Sequence, residues 1–231
     1  MIGLFAAAAG AAATLALMAS GAPVAAGDRA AIEKIVREYI LANPEILPEA
    51  MENLRGREAA KVVEANRKAI ETPFAGAWEG ASDADVTVVQ FFDYNCGYCR
   101  SSMIDIDKLL AADKRVRVVY REFPVLGPDS ETAARLSLAA AKSGKYAAFH
   151  RAVYAAGQPE SRAVERIAKQ LGVDLAFAAN PAAQAEIDAN LNLAKPLGMT
   201  GTPSWVIGDK VLTGAVGYEA LKEAVAAARA K

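Results

Sequence analysis

The stretch Phe91-Phe92-Asp93-Tyr94-Asn95-Cys96-Gly97-Tyr98-Cys99-Arg100 holds the only two cysteines in a chain of 231 residues. The residues before it, from Val86 to Phe92, form an almost continuous apolar run suited to a strand buried on both faces. The residues after it, to Leu110, read as a helix. A second strand follows in Arg115-Val116-Arg117-Val118-Val119-Tyr120-Arg121-Glu122-Phe123, ended by Pro124. Strand, helix and strand make a βαβ unit, and a C-x-x-C pair at its first junction marks a redox centre.

The physics assigns different roles to the two thiols. Cys96 falls at the helix N-cap or first turn, where unpaired amides and the positive end of the dipole stabilise a thiolate. That lowers its pKa below the free value of about 8.5 and makes it the attacking species. Cys99 lies one turn in, shielded and less acidic, placed to attack a mixed disulfide at Cys96 and release it. Gly97 allows close backbone approach, and Tyr98 offers an aromatic face without a cationic charge.

Other uses of the pair fare worse. A structural zinc takes four ligands, while the chain offers two Cys and one His. That residue, His150, sits in a helical stretch between Phe149 and Arg151 and reads as packing or surface. A disulfide closing so short a loop removes little unfolded-state entropy and is a poor staple. No metal is therefore expected, although two thiolates alone suit Cu(I). An exported copper carrier using Cys96 and Cys99 stays as the alternative.

With 26 basic and 27 acidic residues, the charge balance argues against a nucleic-acid or membrane-surface role. No charge precedes Asp28. Residues 1–26 read as a secretory signal with Val24-Ala25-Ala26 as its cleavage site, although no Lys or Arg follows Met1. A permanent anchor is the competing reading. Export implies an oxidising compartment, the periplasm.

From Asp28 the pattern is helical, with Ile32, Ile35, Val36, Tyr39 and Ile40 on one face. Asn43-Pro44 stops this helix, and Pro48 opens a longer one with apolar positions Met51, Leu54, Val62, Ala65, Ala69 and Ile70. Gly56 offers a bend or joint within it. Two such helices cannot bury their own stripes, so 28–72 is expected to be an oligomerisation module. Thr72-Pro73-Phe74-Ala75-Gly76-Ala77-Trp78-Glu79-Gly80-Ala81 reads as a linker. Residues 129–195 are all helical, with Ser130 as the first N-cap and a stop at Gly144. Strand character returns at Ser204, with a hairpin turn at Gly208-Asp209 and a closing helix from Tyr218 to Ala230. The sheet domain, 73–128 and 196–231, is thus interrupted by a helical insertion. Ahead of its second part, Gly201-Thr202-Pro203 suits either a cis peptide in a tight turn or a trans proline at a strand start.

Phe91-Phe92-Asp93-Tyr94-Asn95-Cys96-Gly97-Tyr98-Cys99 and Gly201-Thr202-Pro203-Ser204-Trp205, in this order of elements, resemble the thioredoxin-fold oxidoreductases of the DsbA family over about residues 76–231. The leading helices resemble the extension of ScsC-type proteins, some of which are trimeric disulfide isomerases. The resemblance implies a thioredoxin fold, with Cys96 as nucleophile, Cys99 as resolving thiol and Thr202-Pro203 as the cis-proline loop that pairs with an extended client. No cofactor beyond the cysteine pair is implied. Gly97-Tyr98 with Thr202 looks like the isomerase's combination, and the oxidase type carries Pro-His between its cysteines. Isomerisation implies misfolded disulfide-containing clients, a membrane reductase of the DsbD or ScsB kind, and a homo-oligomer, with a trimer favoured. A DsbA-like oxidase is the other reading. Many relatives have a buried Glu where this chain has Gln90, an amide that cannot relay the proton of Cys99. Asp93 lies on the opposite strand parity and is not expected to substitute.

Overall fold

The computed structural model describes residues 26–230; the expected signal segment lies outside them. The chain divides into two compact units at Glu52 and Asn53. The first contains α1 (Ala26–Ala42) and the opening turns of α2 (Ile46–Glu71). The Asn43 amide N–H and side chain both donate to the Tyr39 carbonyl at 2.9 Å, closing α1 just before Pro44. Its apolar stripe stands uncovered: Ile32, Ile35, Val36 and Tyr39 are all exposed, as are Leu47 and Met51. Gly56 does not interrupt α2, which is helical throughout its 26 residues.

The second unit is built on a five-stranded sheet in the order β1-β3-β2-β4-β5. Its strands are β1 (Trp78–Gly80), β2 (Val86–Phe92), β3 (Val116–Glu122), β4 (Ser204–Ile207) and β5 (Lys210–Thr213). β2 and β3 run parallel, joined by α3 (Gly97–Ala112), and every other pairing is antiparallel. As the apolar run predicts, β2 is covered on both sides. Val88 and Phe92 enter one core with α3 and α8 (Gly217–Arg229), while Val89 and Phe91 enter the other. Each such side chain contributes about 1.5–3 kcal/mol by leaving water.

The linker reading is corrected by the fold. Trp78–Gly80 is an edge strand paired with β3, and Ala77 is buried. A Cβ at Gly80 would lie 2.4 Å from the Val116 carbonyl, at a backbone φ of +103°. Only glycine lets the two strands approach so closely, so what reads as a breaker is a packing requirement. The second half of α2 likewise belongs to this unit. Val63 and Ile70 are fully buried against Phe91, Val119 and Val206. Buried Arg121 holds the end of this helix, donating to the carbonyls of Ala69, Ile70 and Thr72 and pairing with Glu186 at 2.9 Å.

The insertion comprises α4 (Pro128–Lys142), α5 (Tyr146–Ala155), α6 (Ser161–Gln170), a 3₁₀ turn (Leu175–Ala179) and α7 (Pro181–Ala194). α4 begins earlier than its expected N-cap at Ser130. Gly127 is the cap and Pro128, with φ preset for a helix, occupies the first turn, leaving Ser130 buried inside it. In the β4–β5 hairpin Gly208 has φ +57° and Asp209 does not enter the positive region, which makes a turn with glycine at its first central position. Because β4 runs antiparallel beside β2, the residues entering β4 lie next to those leaving β2. This arrangement brings 201–203 to the cysteines.

Candidate active site

Cys96 is the N-cap of α3: its backbone is extended (φ −84°, ψ 112°) and its Sγ accepts from the Cys99 amide at 3.3 Å. The Cys96 amide donates to the Asp93 carbonyl at 3.1 Å, which fixes the turn out of β2. Across the gap, the Cys96 thiol donates to the Thr202 carbonyl at 3.3 Å. The Thr202-Pro203 peptide is cis. Cys96, Cys99, Thr202 and Pro203 therefore meet at one point. Both cysteines are free thiols; Cys99 is wholly buried and Cys96 is 7% exposed.

The two thiols are driven apart electrostatically. Cys96 is lowered to about 5, first by the hydrogen bond from the Cys99 side chain, then by the Thr202 side chain and by the amides of the helix start. Burial pushes Cys99 far up, and the charge at Cys96 pushes it further. At neutral pH the pair thus carries one exposed-side thiolate and one buried thiol, the division that nucleophile and resolving thiol require.

Of the tuning residues, Tyr98 is 71% exposed. A Cβ at Gly97 would meet nothing within 4 Å, so glycine here relieves no crowding within the chain. It leaves the outer face beside Cys96 open. Trp205 is wholly buried and donates to the Gly214 carbonyl at 2.9 Å, a core residue rather than part of a client surface. Val125 and Leu126 join Tyr98 as exposed apolar groups.

Asp93 does work that the sequence alone did not suggest. Its carboxylate is buried and accepts three backbone N–H groups, from Asn95 (2.8 Å), Val125 (2.9 Å) and Leu126 (3.0 Å). It locks the turn carrying Cys96 to the loop displaying Val125 and Leu126. Gln90 is fully buried with neither amide atom hydrogen-bonded, level with Tyr120 and Trp205 on the face that carries Cys99. No carboxylate occupies the place of the relay that the resemblance implies.

His150 is also a core group. It is wholly buried among Phe92, Tyr94, Tyr120, Tyr146 and Tyr154, and its Nδ1 lies 2.9 Å from the Tyr94 hydroxyl. Burial lowers it to about 3 and keeps it neutral. Among the described residues, no three His, Cys, Asp or Glu side chains gather to hold a metal. Nor is any described helix long and apolar enough to cross a membrane.

Comparison with known proteins agrees with this geometry. A DSBA-like thioredoxin domain matches residues 87–226, and the copper resistance protein ScsC N-terminal domain matches residues 28–61. A thioredoxin-like oxidoreductase from Silicibacter pomeroyi is 42% identical, with a TM-score of 0.67, over 72% of this chain and 99% of its own. A linker-deletion variant of Proteus mirabilis ScsC is 28% identical, with a TM-score of 0.72, over 91% of this chain and 99% of its own. Among curated proteins, the Na(+)/H(+) antiporter NhaA 3 of Salinispora tropica is 30% identical over 64% of this chain, which spans only 24% of that protein's length. The chain belongs to the DSBA-like thioredoxin family of thiol–disulfide oxidoreductases and carries a ScsC-type domain ahead of its catalytic unit.

Proposed function

We propose that the protein is an exported, periplasmic disulfide isomerase working as a homo-oligomer, with a trimer favoured. Reduced Cys96 attacks a wrong client disulfide, leaving one client sulfur as a thiolate and the other bonded to Cys96. A second client thiol then resolves this bond, or Cys99 does so with release of the client and formation of the Cys96–Cys99 disulfide. Thr202 and Pro203 offer backbone for an extended client segment, and Tyr98, Val125 and Leu126 supply apolar contact. No cofactor is needed beyond the cysteine pair, and a membrane reductase of the DsbD or ScsB kind would return it to the dithiol.

The observation that carries the direction is the thiolate at about 5 with no cation among its causes. A thiolate without a cationic partner is stabilised less than one beside a charge, which favours reshuffling over one-way donation. The uncovered stripe of α1 supports oligomerisation, and several sites around one client raise effective concentration. Residues 28–72 remain the proposed module, but its last turns also fill the core of the catalytic unit. The test must therefore spare them. Refolding of a scrambled-disulfide substrate is compared between the reduced wild type and a double variant, Ile35→Asp with Tyr39→Asp, with mass measured by light scattering. Isomerase activity that falls with loss of the oligomer supports the proposal. If neither form reshuffles while the oxidised protein readily donates its disulfide, the protein is an oxidase.

A further inference from the structure

A hollow of about 410 Å³ lies on the β3 side of the turn that carries Cys96. The sheet order β3-β2-β4 sets it opposite Thr202 and Pro203, which lead into β4, with the Cys96 turn between them. Its walls are bonded to that turn. Asn95, the chain neighbour of Cys96, lines it; the Asn95 carbonyl accepts from Gln158 Nε2 and its side-chain amide donates to Ser130 Oγ, both at 3.3 Å. Leu126 lines it from the loop after β3, and the Asp93 carboxylate accepts both the Leu126 and the Asn95 amides. The insertion supplies the remaining wall with Pro128, Asp129, Pro159 and Glu160.

The lining has two characters. Leu126, Pro128 and Pro159 are apolar, Asp129 and Glu160 are acidic, and among the described residues no basic side chain lines the hollow. The Ser161 hydroxyl donates to the Asp129 carboxylate, and so does the Ser161 amide at 2.9 Å, which together hold Asp129 below the usual carboxylate range. Glu160 is exposed and stands at the N-cap of α6, yet its side chain makes no capping hydrogen bond. Arg162 and Arg166 line a neighbouring groove that shares Glu160, and Arg100 lies beside Gly157. Among the described residues none of these cations forms an ion pair with Glu160. Apolar walls beside an unpaired acidic group suit a side chain with a long aliphatic stem and a cationic head.

We propose that this hollow is a client subsite that receives a lysine or arginine side chain flanking the cysteine bonded to Cys96, with Glu160 as its specificity-determining residue. Consecutive Cα atoms lie about 3.8 Å apart, so the hollow begins one residue's length from Cys96, at Asn95. That is within reach of the side chains on either side of a bonded client cysteine. The stem of such a side chain packs on Leu126, Pro128 and Pro159, and its head meets Glu160 and Asp129. A charge at the rim of the site steers encounter more than it adds affinity, so the selection shows in the rate of exchange. The subsite rests on the client binding proposed above and serves reshuffling and one-way exchange alike.

The test uses the reduced mature protein and short peptides, each with one cysteine capped as a mixed disulfide with nitrothiobenzoate and with lysine, norleucine or glutamate at each flanking position. The Cys96 thiolate attacks the peptide sulfur, the Cys96–peptide disulfide forms, and the nitrothiobenzoate thiolate leaves and is read by its absorbance. Each rate is divided by the rate of the same peptide with free cysteine, which removes its intrinsic reactivity. Lysine at the favoured position should react about twofold to fivefold faster than norleucine, the scale of one exposed ion pair. In Glu160→Gln that ratio should fall towards one, and in Glu160→Lys the glutamate peptide should become the faster. Glu165→Gln makes the same change of net charge farther along α6, outside the hollow, and should keep the wild-type ratio. A ratio near one in wild type at every position, a wild-type ratio retained in Glu160→Gln, or an equal fall in Glu165→Gln overturns the subsite. If no peptide reacts at all, the exchange reading fails and the subsite with it.

Discussion

Replacing Cys99 by Ala should raise the pKa of Cys96 without touching the nucleophile itself. The first cause of the value of about 5 is the hydrogen bond from the Cys99 side chain. A hydrogen bond to a charged group is worth about 1.5–3 kcal/mol. At 1.36 kcal/mol per unit, its loss moves Cys96 to about 6–7, since the Cys99 amide and Thr202 remain. At pH 5.5 the thiolate fraction then falls from about three quarters to between a quarter and a few per cent. The intrinsic reactivity of the thiolate rises in compensation, by about threefold to eightfold for a Brønsted slope near 0.45. A single rate at one pH would mix these opposing effects. The assay is therefore alkylation by iodoacetamide from pH 3.5 to 9, read as a midpoint and a plateau. The expected result is a midpoint higher by about one to two units and a higher plateau, with Cys99→Ser in between because its hydroxyl still donates. A midpoint within about half a unit of wild type would refute the reasoning and assign the charge stabilisation to the helix amides and Thr202.

Reduced protein should gain stability as pH rises from about 5 towards 9, because Cys96 has a lower pKa folded than free, and should lose that gain as pH falls through about 5; thermal melts of wild type against Cys96→Ser across this window isolate it. Asp93→Ala strips the acceptor from three backbone amides and should cost about 3 kcal/mol in urea unfolding, with faster hydrogen exchange at Val125 and Leu126. Ile70→Ala should cost about 2–5 kcal/mol, because the end of α2 fills the second core; a surface helix would lose under ~0.5 kcal/mol. Arg121→Met leaves the half-buried Glu186 without its partner and the buried carbonyls at the end of α2 without their donor, and should destabilise by about 3 kcal/mol, measured the same way.

Local signals carried much of this protein. The apolar run of β2, the cysteine at the helix N-cap and the glycine of the β4–β5 turn each follow from short-range sterics and dipoles, which neighbouring residues alone decide. The exposed stripe of α1 was equally legible, because periodicity reports which face of a helix is apolar. Periodicity does not report what covers that face. On α2 it marked Met51, Leu54, Val62 and Ile70 together, yet Ile70 is in the core while Met51 and Leu54 are exposed. Trp78–Gly80 was hidden because three residues among small breakers carry too little pattern to outweigh composition. Strand parity did hold one unread signal: alternation through Val116, Val118 and Tyr120 puts Glu122 on the buried face. What lies beside the cysteines still required the fold. Asn95 and Gln158 are 63 residues apart in sequence and Asp129 and Ser161 are 32 apart, yet each pair shares a hydrogen bond at one hollow. A thiolate at a helix start is a local property, but the hollow beside it exists only because packing of the insertion brings distant segments together.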